Sequence, residues 1–351
     1  MILNHDLMSK NRAIKIICKK PRCIFNKSFI FVSNFNRTMR NLIAFLSIIL
    51  LMTSCDDGDI IFVQLDFDDT FETCGELVFY NVKENPVESL SLQISSPTTT
   101  LEDVLELEYI DTDNLLVTLV NPEITGTIDG VNNFLNYRSY STNSGNLFCN
   151  DVPPSNLQIT EDQSSSSGIY TISTTYFEDD NDGIPAEMED LNNNGDLYDD
   201  DTDGDGLPNF LDQDDDGDNV LTSTELIDYD NDDDDDNPLT DPQDTDEDGI
   251  PNYLDTDDDG DLVLTINEEN ITQDENPSND YTNPNLADYL NPDVATTVLA
   301  TDYRPHSINQ TYEVSILIEN ITFPTLNQNE LDFGILEDTR TTGTRIVTPE
   351  F

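Results

Sequence analysis

Tryptophan is absent from this chain, histidine occurs twice, and 14 lysines and arginines stand against 73 acidic side chains. The shortage of cations excludes a nucleic-acid partner, because phosphate recognition needs clustered Lys and Arg. A formal net charge of −59 over 351 residues opposes compaction through self-repulsion. The cations are also badly placed to relieve it: nine lie in residues 1–54, and none occurs between Arg138 and Arg304. Such a stretch is either solvated and disordered or neutralised by bound cations. Zinc is a poor candidate for that ion. After residue 55 only Cys74, Cys149 and His306 remain to ligate it, and the two cysteines lie far apart. His306 has no partner at a catalytic spacing and is expected in a surface loop. Ser-His-Asp, Cys-His and metalloprotease spacings are missing as well, so no enzyme is expected.

A short basic segment, Met39-Arg40-Asn41, precedes the apolar stretch Leu42–Met52 and then Thr53-Ser54-Cys55. The stretch is too short for a permanent membrane span and suits the apolar core of an export signal. Its ending resembles the lipobox of bacterial lipoproteins, although Met52 stands where Leu is usual. The resemblance implies cleavage before Cys55 and lipidation of its thiol; an ordinary secretory signal with an incidental cysteine is the alternative. Residues 39–54 then form the signal peptide, and residues 1–38 read as an extension upstream of a start at Met39. Asp56, Asp57 and Asp59 follow the cysteine, which resembles the surface-export signal of certain Gram-negative lipoproteins. The expectation is an exported protein, lipid-anchored in the outer membrane and displayed on the cell surface. In that oxidising compartment Cys74 and Cys149 are expected to form one disulfide.

Beyond the anchor, apolar residues alternate with period two. Ile61, Val63, Leu65 and Phe67 make one run, and Leu90, Leu92 and Ile94 another. Short apolar segments follow at Leu77–Val82, Val104–Ile110, Leu115–Val120, Phe134–Tyr140 and Ile169–Phe177, separated by turn formers such as Asn121-Pro122 and Asp129-Gly130. This pattern predicts a mainly β chain with an antiparallel β-sandwich-like domain over 55–177. Residues 277–351, a linker and a C-terminal β segment, resume the alternation, with Val314, Ile316 and Ile318 in one run and Leu331, Phe333 and Ile335 in another. So short a segment is marginal for an independent core. We therefore favour its completing the first sandwich, with the acidic block over 178–276 inserted; a second small β unit, with the block appended, is the other arrangement.

The acidic block has its carboxylates at fixed offsets. A twelve-residue calcium loop takes side-chain oxygens from positions 1, 3 and 5, a sharp turn at position 6, a backbone carbonyl at 7, a polar contact at 9 and a carboxylate at 12. Asp201, Asp203, Asp205, Gly206, Leu207, Asn209 and Asp212 fill these places. Asp244, Asp246, Asp248, Gly249, Ile250, Asn252 and Asp255 fill them again 43 residues later. Each copy has a companion: Asp214, Asp216, Asp218, Val220, Thr222 and Glu225, then Asp257, Asp259, Asp261, Val263, Thr265 and Glu268. The companions carry Asn219 and Leu262 at the glycine place, and Leu is the poorer fit to a left-handed backbone. A looser pair opens the block: Glu178, Asp180, Asp182, Ile184 and Glu189, followed by Asp190, Asn192, Asn194, Asp196 and Asp201. Asp201 would then end one loop and begin the next. The tract 228–236 lacks this spacing and reads as solvated charge.

The periodic Leu207-Pro208-Asn209-Phe210-Leu211 and Ile250-Pro251-Asn252-Tyr253-Leu254 argue against a disordered acidic tail. EF-hands flank each loop with helices, whereas these loops abut or overlap and hold Pro185, Pro208 and Pro251 inside them. In this they resemble thrombospondin type 3 repeats, whose units wind around a string of calcium ions. The cysteines that staple those repeats are missing, so metal must supply more of the order. The expected role is structural, spacer or adhesive, with calcium as the bound ion and a surface protein or glycan as the partner class. Two alternatives stay open: an exported enzyme, an isomerase or glycan hydrolase, and a glycan- or protein-binding sandwich using Tyr137, Tyr140 or Tyr170.

Overall fold

The computed structural model describes residues 65, 67–75, 78–94, 100–142, 147–150, 157–226 and 242–351. The expected extension 1–38, signal peptide 39–54, Cys55, the run through Ile61 and Val63, and the tract 228–236 lie outside the described residues. Twelve strands carry the described fold: β1 (Thr70–Cys74), β2 (Val78–Glu84), β3 (Val87–Ile94), β4 (Leu107–Tyr109), β5 (Val117–Leu119), β6 (Glu123–Ile128), β7 (Asn133–Tyr140), β8 (Ile159–Ser164), β9 (Gly168–Asp179), β10 (His306–Thr322), β11 (Asn327–Leu336) and β12 (Thr342–Val347). Their order is β6-β9-β10-β11-β1-β2-β3-β7-β8, with β12 beside β10 and β4–β5 a separate pair. Pairing is antiparallel except between β1 and β11, which run parallel.

The long strands follow from their alternation. Ile172 and Ile316 lie opposite one another on β9 and β10, and both are buried, as are Val314 and Ile318. A single hydrophobic core draws on both halves of the sheet, Phe79, Leu90, Leu92 and Leu135 from one and Ile172, Ile316 and Phe333 from the other. Phe71, on the shared strand β1, sets its ring edge-on against Phe79 (5.6 Å) and Phe333 (5.3 Å). This is sandwich-like packing, and each such side chain contributes about 1.5–3 kcal/mol on burial. Cys74 at the end of β1 is joined to Cys149 in a disulfide with Cα atoms 5.4 Å apart.

Two local expectations are corrected. Val104 is not in a strand: Leu101–Val104 form a one-turn helix, α1, because Thr100 and Asp103 close a capping box on its first turn. The alternation of β11 slips at its end, so Ile335 is 41% exposed and Leu336 is buried instead. Gly334 causes the slip. Its φ is 101°, and a Cβ there would collide with the backbone of Asp69, whose carbonyl accepts the Ile335 N–H at 2.9 Å.

β9 and β10 are neighbours from Ile169↔Glu319 to Asp179↔Asn309. Residues 180–305 therefore leave the sheet at the end of one strand and return at the start of its direct partner. β11 and β12 belong to the same sheet as the N-terminal strands. A second apolar cluster fastens the excursion to the sheet: Leu207, Phe210 and Leu211 of the acidic block pack with Leu115, Ile308 and Val347.

Candidate metal centre

Every loop is first a self-bonded turn. In the copy starting at Asp201, that carboxylate accepts the N–H groups of Gly204 (2.8 Å) and Gly206 (3.2 Å). Asp203 accepts from Asp205 N–H (3.1 Å), and Asp205 from Leu207 N–H (2.7 Å). The same ladder recurs through Asp244, Asp246 and Asp248, and through both companions. Asp180 and Asp182 keep its second half, accepting from Asp182 and Ile184 N–H. The carboxylate at position 1 of the Asp201 and Asp214 loops spends both oxygens on its own turn, whereas those at positions 3 and 5 use one oxygen each. Single turns then close the loops at Ala186–Met188, Asn209–Leu211, Thr222–Glu225, Asn252–Leu254 and Thr265–Asn267.

Position 9, where a polar metal contact is expected, is hydrogen-bonded within its own loop. The Asn209 side chain accepts Thr202 N–H at 2.9 Å and donates to the Thr202 hydroxyl at 2.9 Å; Asn252 does the same with Thr245. In the companions, the hydroxyls of Thr222 and Thr265 accept the N–H groups of Asp215 and Asp258. Position 9 thus braces position 2 of its own loop.

Among the described residues, five carboxylate groups result in which one oxygen from each member lies within 4.8 Å of the others. Two are buried quartets: Asp180, Asp182, Glu189 and Asp215, and then Asp216, Asp218, Glu225 and Asp258. Three are more open triads: Asp201, Asp203 and Asp205; Asp244, Asp246 and Asp248; Asp257, Asp259 and Asp261. Calcium bonded to oxygen at about 2.3–2.6 Å suits ligands up to about 5 Å apart. Both oxygens of Glu189, Asp215 and Glu225, and one each of Asp180, Asp182, Asp216, Asp218 and Asp258, are buried without a hydrogen-bond partner among the described residues. An uncompensated buried carboxylate costs several kcal/mol. A cation removes that cost, and the all-oxygen donor sets fit a hard one.

Several expected ligands are placed elsewhere. Glu178 is taken by Arg345 of β12, whose Nη2 lies 3.0 Å from its Oε2, and by Gln310 at 3.1 Å. Asp212 faces His306 at 2.8 Å, outside the Asp201 triad. His306 itself is no surface-loop residue: it is 3% exposed and opens β10, because the excursion returns to the sheet there. The loop from Asp190 closes one residue early. Its turn is Leu197–Asp199, so Asp200 rather than Asp201 caps it, and Asn192 and Asn194 spend their amides on Asp199 and Asp200. Asp255 and Glu268 stand outside their triads, although both Glu268 oxygens are buried and unpartnered among the described residues. Leu262 does adopt the left-handed backbone, φ 78°, with its side chain 91% exposed.

Asp215 and Asp258 both sit at position 2, which no loop rule assigns to a ligand, so the spacing does not predict them. The available signal was the change from Thr202 and Thr245 to Asp at that place in the companions. Gly217 and Gly260 were a second signal. A Cβ at either would collide with the carboxylate of Asp203 or Asp246, so each companion's fourth residue must be Gly for the loops to nest.

Burial, and then neighbouring carboxylates, raise many of these acids above their ordinary range. Asp180 is pushed up to about 10 by burial, Asp182 and Glu189. Glu189 and Glu268 rise to about 9, and Asp203 to about 8, by burial first and nearby acids next. Asp216, Asp218 and Glu225 are raised for the same reasons. Without a cation, burial favours the protonated form of these acids.

Among known families, the model described as BamM C-terminal matches residues 179–234, which covers the first quartet's loop, the Asp201 triad and most of the second quartet. No curated protein and no solved structure matches the chain.

Proposed function

We propose that the chain is a calcium-binding protein of the cell envelope, non-catalytic, in which calcium orders the acidic excursion into a rigid spacer or adhesive surface. The observation that carries this is the pair of buried carboxylate quartets whose oxygens lack donors among the described residues. Calcium is favoured over magnesium because irregular oxygen cages of 6–8 ligands suit the larger ion. It is favoured over transition metals because no His or Cys enters the five groups among the described residues. The BamM C-terminal match over residues 179–234 supports an envelope-associated role. Lipid anchoring at Cys55 and surface display rest on the sequence signals alone.

The glycan-binding alternative draws little support from its tyrosines. Tyr170 is buried, and the hydroxyls of Tyr137 and Tyr140 are engaged by Glu88 (2.9 Å) and Ser89 (2.8 Å). The full-length protein, stripped with chelator and titrated with calcium, should take up several ions by native mass spectrometry and contract in small-angle scattering. Failure to bind calcium, with unchanged dimensions, would refute the proposal. Fatty-acid labelling that is lost in Cys55→Ala tests the anchor.

A further inference from the structure

The quartets differ from the triads in one respect that no single loop explains. Each triad is built from positions 1, 3 and 5 of one loop, whereas each quartet combines positions 3, 5 and 12 of one loop with position 2 of another. Asp215 belongs to the loop starting at Asp214 yet completes the site of Asp180, Asp182 and Glu189. Asp258 belongs to the loop starting at Asp257 yet completes the site of Asp216, Asp218 and Glu225, although it lies 33 positions beyond Glu225.

The four loops starting at Asp201, Asp214, Asp244 and Asp257 accordingly fall into two types. Where position 2 is Thr and position 9 is Asn, the two side chains bond to each other, and the position-2 side chain offers no carboxylate to another loop. Where position 2 is Asp and position 9 is Thr, the Thr hydroxyl holds only the backbone, and the Asp side chain is released towards a neighbour. Both Asp215 oxygens are then buried and unpartnered among the described residues, and Asp215 is 2% exposed. Asp258 is steadied at Oδ2 by the Asn252 amide (3.1 Å), and its Oδ1 is left without a donor among the described residues. Facing it, Glu225 is 3% exposed with neither oxygen partnered among the described residues.

We propose that Asp215 and Asp258 are inter-loop calcium ligands, and that the two quartets are clasps which bind before the triads and lock the loops starting at Glu178, Asp214 and Asp257 to one another in series. Four carboxylates bind a divalent cation more tightly than three, and burial reinforces the difference, so the clasps fill first. Calcium then sets the mutual arrangement of loops distant in sequence, beyond the local order of each. This deepens the calcium reading above and rests on it.

The test uses the full-length protein and the variants Asp258→Asn and Asp215→Asn, with Asp246→Asn in a triad as control. At calcium concentrations well below those that saturate the triads, native mass spectrometry should show two ions on the unsubstituted chain and on Asp246→Asn. Each clasp variant should show one, its lost site weakened on the order of tenfold or more. Hydrogen exchange separates a clasp from a local effect. Asp258→Asn should speed exchange in residues 214–225, and Asp215→Asn in 180–189, at constant calcium. Exchange that rises only in the substituted loop, or two tight ions retained by both variants, overturns the clasp while leaving calcium binding intact. Uptake of no calcium by the unsubstituted chain overturns the calcium reading itself. The Asn substitutions are isosteric, and the two variants lie in different loops, so each checks the other.

Discussion

Removing calcium should lower the thermal stability of the acidic block by an amount that the five carboxylate groups set. An ion that binds only the folded state stabilises it by RT ln(1 + [Ca]/Kd). With dissociation constants on the order of 10⁻⁴–10⁻³ M, suited to extracellular modules, about 2 mM calcium contributes about 0.6–1.8 kcal/mol per site. The five groups together then contribute about 3–9 kcal/mol. At about 2–4 °C per kcal/mol for a unit of this size, the midpoint should fall by about 6 °C at the least on adding excess chelator. Leu207, Phe210 and Leu211 pack against Ile308 and Val347 of the sheet, so the loss should also loosen the start of β10. Differential scanning calorimetry at stepped calcium concentrations measures this directly. A midpoint that does not move between chelator and millimolar calcium, or that moves equally with magnesium, refutes the reasoning.

Acidity should act on the metal-free protein in the opposite sense to ordinary acid denaturation. Asp180, Glu189, Asp203 and Glu268 have raised folded-state values of about 10, 9, 8 and 9, so between about pH 4 and 9 the folded state holds more protons than the unfolded chain. Stability without calcium should therefore fall as pH rises through that window, read as a lower urea midpoint at pH 8 than at pH 5. Calcium binding at pH 7 should release protons, seen as a buffer-dependent heat in titration calorimetry. Arg345→Met should destabilise the fold by about 2–4 kcal/mol in urea, since it strands a largely buried Glu178. It should leave the number of bound ions unchanged, because Glu178 belongs to none of the groups. Asn209→Ala should cost about 1–2 kcal/mol through loss of its bonds to Thr202. It should weaken the Asp201 triad without abolishing it, which terbium luminescence competition would show.

Some of the strands were hard to see in the sequence because they bury little. β8, Ile159–Ser164, reads ITEDQS and has one buried residue, Gln163; it pairs on one side only, with β7, so nothing forces apolar residues onto it. β1 and β12 were likewise missed, being short and mostly polar, yet β1 joins the two halves of the sheet through Phe71. The long strands β9 and β10 were legible because both bury one face along most of their length.

The sequence by itself determined the acidic loops as loops: carboxylates at positions 1, 3 and 5 bond the N–H groups of their own turn, and such local bonds depend on spacing alone. It likewise carried the β class, through period-two burial. Only the tertiary structure decided which carboxylates come together in one group. Asp215 and Asp258 reach sites built by other loops, Asp212 goes to His306, and Glu178 goes to Arg345. Those choices follow from the pairing of β9 with β10 and from the nesting of one loop on the next, which bring together residues far apart in the chain. A motif of twelve residues carries no record of its neighbours, so its ligands at a distance appear only once the chain has folded back on itself.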